Sequence, residues 1–355
     1  MDKKLKGAVI GTGGMANWVH GETFLNHPET MLVAACDIVP EKVEAFAKKL
    51  DVPKTFTDYR KVLKMRDLDF VDICTPNVLH SEIAVAALEA GKHVFCEKPD
   101  AVSVAEAQKM ADAAKASGKT LMVMRNNRYS VAAQFLRKYI GDGMMGEIYT
   151  GRCGWVRRRG LPGRGSWFAD KKMSGGGPLI DLGVHYIDLA MWLMGDPKPV
   201  SVSGSTYCKF ADNVLADTLY SSGRTRESDR GYDVEDLAIG FIRFANGASL
   251  QVEFSWASNV EEEERFIEFR GTRSGCHLRN GALKVYTESG GQLSDLSPRL
   301  HRPGNLNDHA LHLHHFVDVI KKRAEPINTP ETGLDMIKIL SALYESAEKG
   351  AEVRL

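Results

Sequence analysis

The sequence lacks a net charge and any long apolar run. Its 355 residues carry 46 Lys and Arg against 46 Asp and Glu, so no broad field attracts nucleic acid or an acidic membrane. No stretch approaches the roughly 18 apolar residues of a membrane-spanning helix. The charged segment 1–7 leads into a predicted strand without the apolar core of a secretory signal. We therefore expect a cytoplasmic protein with no nucleic-acid or membrane partner.

Paired cysteines are also missing. The 6 cysteines stand singly, with no Cys-x-x-Cys pair, and three lie in or beside apolar runs that are typical of buried strands. This pattern indicates free thiols in the core of a protein from a reducing compartment. It does not predict a zinc site.

The first third of the chain alternates short apolar strands with amphipathic helices. This alternation predicts a parallel sheet that is covered by helices on both faces. The predicted strands cover 7–11, 31–36, 70–74, 92–96 and 120–124, and the predicted helices cover 15–26, 40–50, 58–65, 79–90 and 103–117. Ligands of such sheets bind at the carboxyl ends of the strands.

The pattern changes after about residue 125. The predicted helices are at about 130–140, 179–194, 309–323 and 331–349, and the predicted strands are at 147–156, 199–208, 236–245, 248–258, 265–271 and 274–287. The segments 157–178 and 211–233 are predicted loops, and Asn246-Gly247 is typical of a tight hairpin. At 355 residues the chain is long enough for about two domains, and the second is expected to hold a mostly antiparallel sheet.

A glycine turn follows the first predicted strand. In Gly11-x-Gly13-x-x-Ala16, Gly11 makes the turn, Gly13 lets a diphosphate approach the backbone, and Ala16 allows close packing of helix on strand. A plain turn between a core strand and a surface helix is the alternative. Asp37 ends the second predicted strand, where an acid binds ribose hydroxyls, and this favours a dinucleotide site. Because Ile38 follows it and no cation is supplied for a 2′-phosphate, we expect NAD rather than NADP.

Two further stretches carry groups suited to alcohol oxidation. Lys98 follows the fourth predicted strand, 92–96, where an ammonium can stabilise a developing alkoxide. Asp181 and His185 are four residues apart and share one face of a predicted helix. Histidine is suited to moving a proton near neutral pH. Taken singly, each residue has an ordinary alternative: a solvated lysine, a half-buried core histidine and a local Asp–His pair.

Together the motifs resemble the Gfo/Idh/MocA oxidoreductases, the relatives of glucose–fructose oxidoreductase and inositol 2-dehydrogenase. The resemblance rests on the glycine turn, on Glu97-Lys98-Pro99 and on Gly175-Gly176-Gly177-x-x-x-Asp181-x-Gly183-x-His185, and it covers essentially the whole chain. It implies an α/β fold with an N-terminal Rossmann domain, a doubly wound parallel sheet over 1–125. It also implies a C-terminal α+β domain over 126–355, with an open, mainly antiparallel sheet that binds substrate and joins subunits into a homodimer or homotetramer.

The resemblance also implies a reaction and roles for residues. The reaction is hydride transfer between NAD and a secondary alcohol of a sugar, sugar derivative or cyclitol. Lys98 would contact the substrate hydroxyl and the nicotinamide ribose, and its bond to Pro99 is often cis in relatives. His185 would be the general base in oxidation, and Asp181 would bind the hydroxyl and orient the pair. The implied cofactor site consists of Gly11, Thr12, Gly13, Gly14, Met15, Ala16, Asp37, Thr75, Pro76, Asn77, His80, Glu97, Lys98 and Asn127.

Other polar residues are candidates for substrate contact. In the loop 157–178, Arg157 could grip sugar hydroxyls and Trp167 could stack on a sugar face, or the loop could simply be solvated. Four histidines lie at 309, 312, 314 and 315, of which His309 or His312 could line a substrate pocket. No cysteine or carboxylate set completes a site there, so no metal is expected. The expected substrate residues are Lys98, Arg157, Trp167, Asp181, His185 and His309.

Two alternatives to a dehydrogenase remain at this stage. One is an NAD-dependent glycoside hydrolase that acts by transient oxidation and elimination. The other is a non-enzymatic, NAD-sensing regulatory protein. The set of Lys98, Asp181 and His185 favours dehydrogenation, because a sensor has no use for a group that moves protons.

Overall fold

The computed structural model describes residues 3–163, 165–213, 215, 231–302 and 304–355. The chain forms two compact units. The first holds the residues up to 126 together with 306–337, and the second holds 127–305 together with 338–355. Within the described ranges, no helix is both long enough and apolar enough to pass through a bilayer. Most of the predicted loop 211–233 lies outside the described residues.

The first unit is built on a parallel sheet of six strands. They are β1 (Leu5–Ile10), β2 (Thr30–Cys36), β3 (Thr55–Phe56), β4 (Phe70–Ile73), β5 (His93–Cys96) and β6 (Leu121–Val123). Their order is β3-β2-β1-β4-β5-β6, so the predicted doubly wound parallel sheet is confirmed. The strand order reverses between β1 and β4, which places the carboxyl ends of these two strands side by side. Only the two-residue β3 was not predicted.

Helices connect these strands as the sequence predicted. They are α1 (Gly21–Asn26), α2 (Pro40–Leu50), α3 (Tyr59–Leu63), α4 (His80–Glu89) and α5 (Val104–Ser117). A π-helical turn, Ala16–His20, precedes α1 where a regular helix was predicted. The ends of α5 lie where they were predicted, because the Ser103 side chain accepts a hydrogen bond from the Glu106 amide and Gly118 ends the helix at a φ of 63°.

The second unit is built on a nine-stranded sheet. Its helices are α6 (Val131–Gly141), α7 (Lys171–Ser174) and α8 (Val184–Leu193), and its strands are β7 (Ile148–Val156), β8 (Pro199–Tyr207), β9 (Leu237–Phe244), β10 (Ser249–Ser255), β11 (Glu264–Gly271), β12 (Gly275–Arg279), β13 (Ala282–Ser289), β14 (Gln292–Leu296) and β15 (Val353–Arg354). The strand order is β14-β13-β12-β11-β7-β10-β9-β8-β15. Only the β7–β10 pair is parallel among the described pairings, which confirms the mainly antiparallel sheet.

Local differences from the predictions have physical causes. The predicted strand 274–287 is two strands, because Asn280 and Gly281 adopt φ angles of 47° and 87° and turn the chain back. The loop 157–178 contains α7, whose first turn is capped by the Asp170 carboxylate. β14 was not predicted because it is mostly exposed and has no apolar alternation. The Asn246-Gly247 hairpin between β9 and β10 is confirmed.

The last two helices, α9 (Asp308–Ile320) and α10 (Pro330–Lys349), follow the large sheet in sequence. The prediction placed everything after residue 125 in a second domain, whereas 306–337 groups with the first unit. The reason is the apolar face of α9. Leu313, Phe316 and Val317 are fully buried in the core of the first unit, and the Phe316 ring lies 5.8 Å from Phe70 and 5.2 Å from Phe95.

Replacing Phe316 with Ala tests this packing. We expect the free energy of unfolding of the first unit to fall by about 3–5 kcal/mol, because a fully buried ring leaves a cavity among aromatic neighbours. Denaturant unfolding followed by circular dichroism measures the change. Ile38→Ala is the control, since this side chain is 83% exposed and its loss should cost less than about 0.5 kcal/mol. Equal effects of the two substitutions would contradict the assignment of α9 to this core.

Candidate active site

In the glycine turn after β1, Gly11 lies against protein atoms, whereas Gly13 and Gly14 face open space. Gly11 has a φ of 90°, and a Cβ at this position would lie 2.6 Å from the backbone carbonyl of Cys74. Gly13 and Gly14 differ, because a Cβ at either would meet nothing within 4 Å. The fold itself therefore requires Gly11, whereas the space beside Gly13 and Gly14 is open to a ligand. This cradle fits the diphosphate of a dinucleotide.

Hydrogen bonds from side chains and amides fix the glycine turn and the Asp37 carboxylate beside it. The Asn17 amide donates hydrogen bonds to the carbonyls of Thr12 and Gly13, at 2.8 and 3.0 Å. The amide and hydroxyl of Thr12 both donate to one oxygen of Asp37, at 2.8 and 3.1 Å, and the Val39 amide donates to the other at 3.0 Å. The Asp37 carboxylate is thus held in a fixed orientation at the carboxyl end of β2, as recognition of a ribose diol requires.

The segment after β4 also suits a bound cofactor. The Thr75 hydroxyl is buried and makes no hydrogen bond to any described residue, so it is an orphaned polar group in the predicted cofactor segment. The His80 ring is fully buried, with Nδ1 2.7 Å from the Pro99 carbonyl and Nε2 3.0 Å from the Thr75 carbonyl. Burial lowers the pKa of His80. The ring lies between the carbonyls of the loops after β4 and β5, within hydrogen-bond distance of each.

The Glu97-Lys98-Pro99 motif stands at the carboxyl end of β5. Lys98 is half-buried, and its bond to Pro99 is cis, which confirms the bond geometry expected from the resemblance. The carboxylate of Asp100 forms a buried ion pair with the Arg125 guanidinium. The Arg125 amide in turn donates to Nδ1 of His312 at 3.0 Å.

A buried histidine that the sequence did not single out lies behind this motif. Nδ1 of His20 lies 3.0 Å from both oxygens of Asp72, and Nε2 lies 2.8 Å from Oε1 of Glu97. Burial opposes a charge on His20, but Asp72 and Cys74 together outweigh it and raise the pKa of the ring well above its usual value. Burial likewise opposes the charge on Glu97, but His20, Lys98 and His309 together outweigh it and lower the pKa of Glu97 to about 2.

The four histidines of α9 have separate partners. His309 is half-buried, its ring lies 5.0 Å from that of the exposed Trp18, and it interacts electrostatically with Glu97 and Lys98. Burial lowers the pKa of His309, and Glu97 opposes the shift. His309 thus lies close enough to the Glu-Lys-Pro motif to interact with the charges of Glu97 and Lys98.

His312 is fully buried against Phe95. The rings of His314 and His27 lie 4.3 Å apart, and Nε2 of His315 lies 2.9 Å from the Glu325 carbonyl.

The helix that carries Asp181 and His185 begins with a second π-helical turn, Leu179–Gly183, which runs directly into α8. The carboxylate of Glu235 accepts hydrogen bonds from the amides of Gly177 and Leu179 at 2.9 and 3.0 Å. It also accepts one from the Tyr344 hydroxyl at 2.8 Å. Burial raises the pKa of Glu235, and these donors oppose the shift.

Glu235 and Tyr344 also account for two of the three glycines. A Cβ at Gly177 would lie 2.1 Å from the Glu235 carbonyl oxygen, and a Cβ at Gly176 would lie 2.1 Å from the Tyr344 hydroxyl. Only glycine allows the backbone to approach these groups so closely. The sequence showed the glycines but gave no signal for Glu235 or Tyr344, which lie far along the chain.

Asp181 and His185 are both half-buried, as groups that meet a ligand must be. The indole N–H of Trp256 donates to Oδ2 of Asp181 at 3.0 Å, and Trp256 itself is fully buried after β10. The His185 ring lies 6.4 Å from the Trp155 ring. Sequence reasoning missed Trp256, since nothing in its spacing links it to Asp181. The pair offers a fixed carboxylate and an imidazole, which together suit proton transfer.

The remaining candidates are Arg157, Trp167 and Asn127. The Arg157 guanidinium stacks 4.5 Å from the centre of the Trp155 ring and lies 4.0 Å from the Glu263 carboxylate. The Trp155 indole donates to Glu263 at 2.8 Å.

Trp167 is half-buried and stacks on Phe168 with ring centroids 3.9 Å apart. Asn127 lies in a short 3₁₀ turn, Asn126–Tyr129, that precedes α6.

Comparison with known proteins gives matches over nearly the whole chain. Residues 5–125 match a family model described as "Oxidoreductase family, NAD-binding Rossmann fold", and residues 137–355 match its "C-terminal alpha/beta domain". The D-glucoside 3-dehydrogenase of Escherichia coli (strain K12) is 35% identical over 353 residues, 99% of this chain and 97% of the relative. The levoglucosan dehydrogenase of Pseudarthrobacter phenanthrenivorans is 35% identical over 238 residues, 66% of this chain and 61% of the relative. A solved levoglucosan dehydrogenase with NADH and L-sorbose aligns with a TM-score of 0.87 at 26% identity, covering 99% of both chains.

The two kinds of glycine in the first turn should respond differently to substitution. Gly13→Ala should leave the midpoint of thermal unfolding within about 2 °C, because its Cβ meets no protein atom, yet weaken NAD binding at least about tenfold by filling the cradle. Gly11→Ala should lower stability by about 2 kcal/mol or more, because its φ and its contact with Cys74 both oppose a Cβ. Calorimetric titration with NAD and thermal unfolding measure the two effects. Unchanged NAD affinity in Gly13→Ala would place the diphosphate elsewhere.

Proposed function

This chain belongs to the Gfo/Idh/MocA oxidoreductase family, and from that membership we propose that it oxidises the C3 hydroxyl of a D-glucoside with NAD as the hydride acceptor. The observation that carries the chemistry is the helix on which a fixed carboxylate, Asp181, and a half-buried imidazole, His185, lie four residues apart. The choice of a D-glucoside is supported by the E. coli relative, whose likeness extends through both units of this chain.

The first unit is an NAD-binding Rossmann domain. We assign the diphosphate to the turn Gly11–Ala16, the adenosine ribose to Asp37, and the nicotinamide end to the segment Thr75–Asn77 and to Lys98. Asp37 supports NAD over NADP, because its carboxylate is fixed by three hydrogen bonds and the side chain of Ile38 beside it is uncharged and exposed. When bound, the nicotinamide supplies the acceptor for the hydride that leaves the sugar carbon.

We assign the transfer of the hydroxyl proton to residues of the second unit. In the proposed oxidation, Nε2 or Nδ1 of His185 takes the proton from the substrate hydroxyl, and it returns the proton in the reverse direction. Asp181 accepts a hydrogen bond from the sugar and favours the imidazolium by its negative charge. The indole of Trp256 keeps the carboxylate from rotating, so the geometry is set before the substrate arrives.

Lys98 has a complementary task. Its ammonium donates a hydrogen bond to the oxygen that loses its proton, which stabilises the developing negative charge. The buried Asp100–Arg125 ion pair holds the chain two residues after Lys98. For the rest of the sugar we propose Arg157, Trp167 and His309. Arg157 lies beside Trp155 and hence near His185, and His309 lies near Lys98.

A screen of alcohol substrates tests the proposed function. Purified enzyme is mixed with NAD, or with NADP in parallel, and with methyl D-glucoside, levoglucosan, D-glucose or myo-inositol. We expect NADH formation with the glucoside to be at least about tenfold more efficient in kcat/KM than with myo-inositol, and NAD to be preferred over NADP. NMR of the product should show a carbonyl at C3. Preference for the cyclitol, or cleavage of the glucoside without net NADH, would refute this proposal.

Two substitutions in the second unit test the proton-transfer assignment. His185→Ala should lower kcat by about 10²–10⁴-fold, because it removes the proposed base. Trp256→Phe keeps an aromatic ring but removes one hydrogen bond to a charged group, worth about 1.5–3 kcal/mol, so kcat should fall by about 10–100-fold. The affinity for NAD, measured by titration, should stay within about twofold in both variants. Loss of NAD affinity in parallel with kcat would argue against these roles.

A further inference from the structure

The strongest unexplained feature is the buried cluster behind the Glu-Lys-Pro motif. It contains three titratable groups, Asp72, His20 and Glu97, whose exposed fractions are 0%, 0% and 5%. Such groups are rarely buried unless they are paired, and here each one hydrogen-bonds the next. They come from three separate elements: β4, the π-helical turn before α1, and the carboxyl end of β5.

We propose that His20 is a positioning residue for Lys98, which it holds through a buried bridge from Asp72 to Glu97. The inference rests on the proposed function in one respect, namely that Lys98 contacts the reacting oxygen. The bridge ends at the motif itself, because the second oxygen of Glu97 accepts a hydrogen bond from the Lys98 amide at 3.1 Å. One side chain thus links the centre of the sheet to the backbone of the proposed catalytic lysine.

The geometry also defines the charge of the bridge. Nδ1 of His20 lies 3.0 Å from both Asp72 oxygens, and Nε2 lies 2.8 Å from a Glu97 oxygen. A neutral imidazole carries only one N–H, so it can donate to only one of two carboxylates, whereas the imidazolium donates to both. His20 is therefore protonated between two carboxylates, and the cluster carries one net negative charge.

The surroundings of the cluster favour this arrangement. The groups that face His20 are Asp72 and Cys74, from β4 and the residue after it, Glu97 from the end of β5, and His309 of α9. Burial raises the pKa of the Cys74 thiol to about 12, so Cys74 contributes no charge near neutrality. Glu97 is faced by His20, by Lys98 and by His309 of α9, each of which favours its ionised form.

This bridge keeps Glu97 ionised in the pH range in which a His185 base works. An ionised Glu97 can accept from His20 and from the Lys98 amide at the same time, with one oxygen for each. Without the imidazolium, burial would favour a proton on Glu97, and the oxygen that accepts from Lys98 would lose its charge. The π-helical turn is what brings His20 under β5, since Ala16–His20 is wider than a regular helical turn.

Asp72→Asn is the test variant, because it keeps the size of the side chain and removes the charge that makes His20 an imidazolium. Lys92→Met is the matched control. Lys92 is also a buried charge, 6% exposed, but it precedes β5 and so lies at the opposite end of that strand from Glu97. The kcat/KM for the glucoside is measured from pH 6 to pH 9, and ¹⁵N-histidine NMR spectra report which ring nitrogens carry protons. His20→Gln assigns the His20 signals and supplies a second neutral variant should Asp72→Asn not fold.

We expect both nitrogens of His20 to be protonated at pH 8 in the wild-type enzyme, and its ring to become neutral at that pH in Asp72→Asn. The ratio of kcat/KM in Asp72→Asn to that in the wild type should fall by about tenfold between pH 9 and pH 6, because without the imidazolium burial favours a proton on Glu97 as the pH falls. The ratio for Lys92→Met should not vary with pH. A neutral His20 in the wild type, or a ratio for Asp72→Asn that is constant across the range, would overturn the proposal. The NMR result needs no substrate, so it distinguishes failure of this inference from failure of the proposed function.

Discussion

The backbone of Gly11 lies against the backbone of Cys74 and Thr75 so closely that no Cβ fits between them. This contact lets β1 and β4 end side by side at the point where the strand order of the parallel sheet reverses. The same contact sets the positions of the loops that follow these strands. Asp37 is oriented by the turn through Thr12, and Thr75 stands directly beside Gly11. The proposed cofactor site is thus a consequence of one close approach of two strand ends.

The same principle operates in the second unit. Gly176 and Gly177 lie against Tyr344 and Glu235, and the buried carboxylate of Glu235 accepts hydrogen bonds from the backbone at the start of the π-helical turn. A negative group at this end is also favoured by the helix dipole. In both units, glycines let a buried charged or backbone group reach the chain just before a functional helix. Because this backbone is fixed, the half-buried side chains that it carries are in position before a ligand binds.

Strong local signals made much of the fold predictable. The apolar runs and capping residues of the first unit located its strands and helices to within a few residues, as Ser103 and Gly118 did for α5. Predictions failed where local signals were weak or competed. Asn280-Gly281 divides what looked like one strand, and β14 pairs at an exposed edge with no apolar pattern. α9 looked like part of the C-terminal domain, but its apolar face is buried with Phe70 and Phe95.

Local patterns were enough to predict the kind of fold, the glycine turn and the residues proposed for chemistry, including Asp37, Lys98, Asp181 and His185. These predictions follow from spacing and residue type, which act over a few positions of the chain. The supports of those residues became visible in the folded chain alone: His20 between Asp72 and Glu97, Trp256 on Asp181, and Glu235 beneath the glycines. Each of these supports joins residues more than 50 positions apart. A hydrogen bond between such groups depends on how strands and helices pack, so no local pattern in the sequence records it.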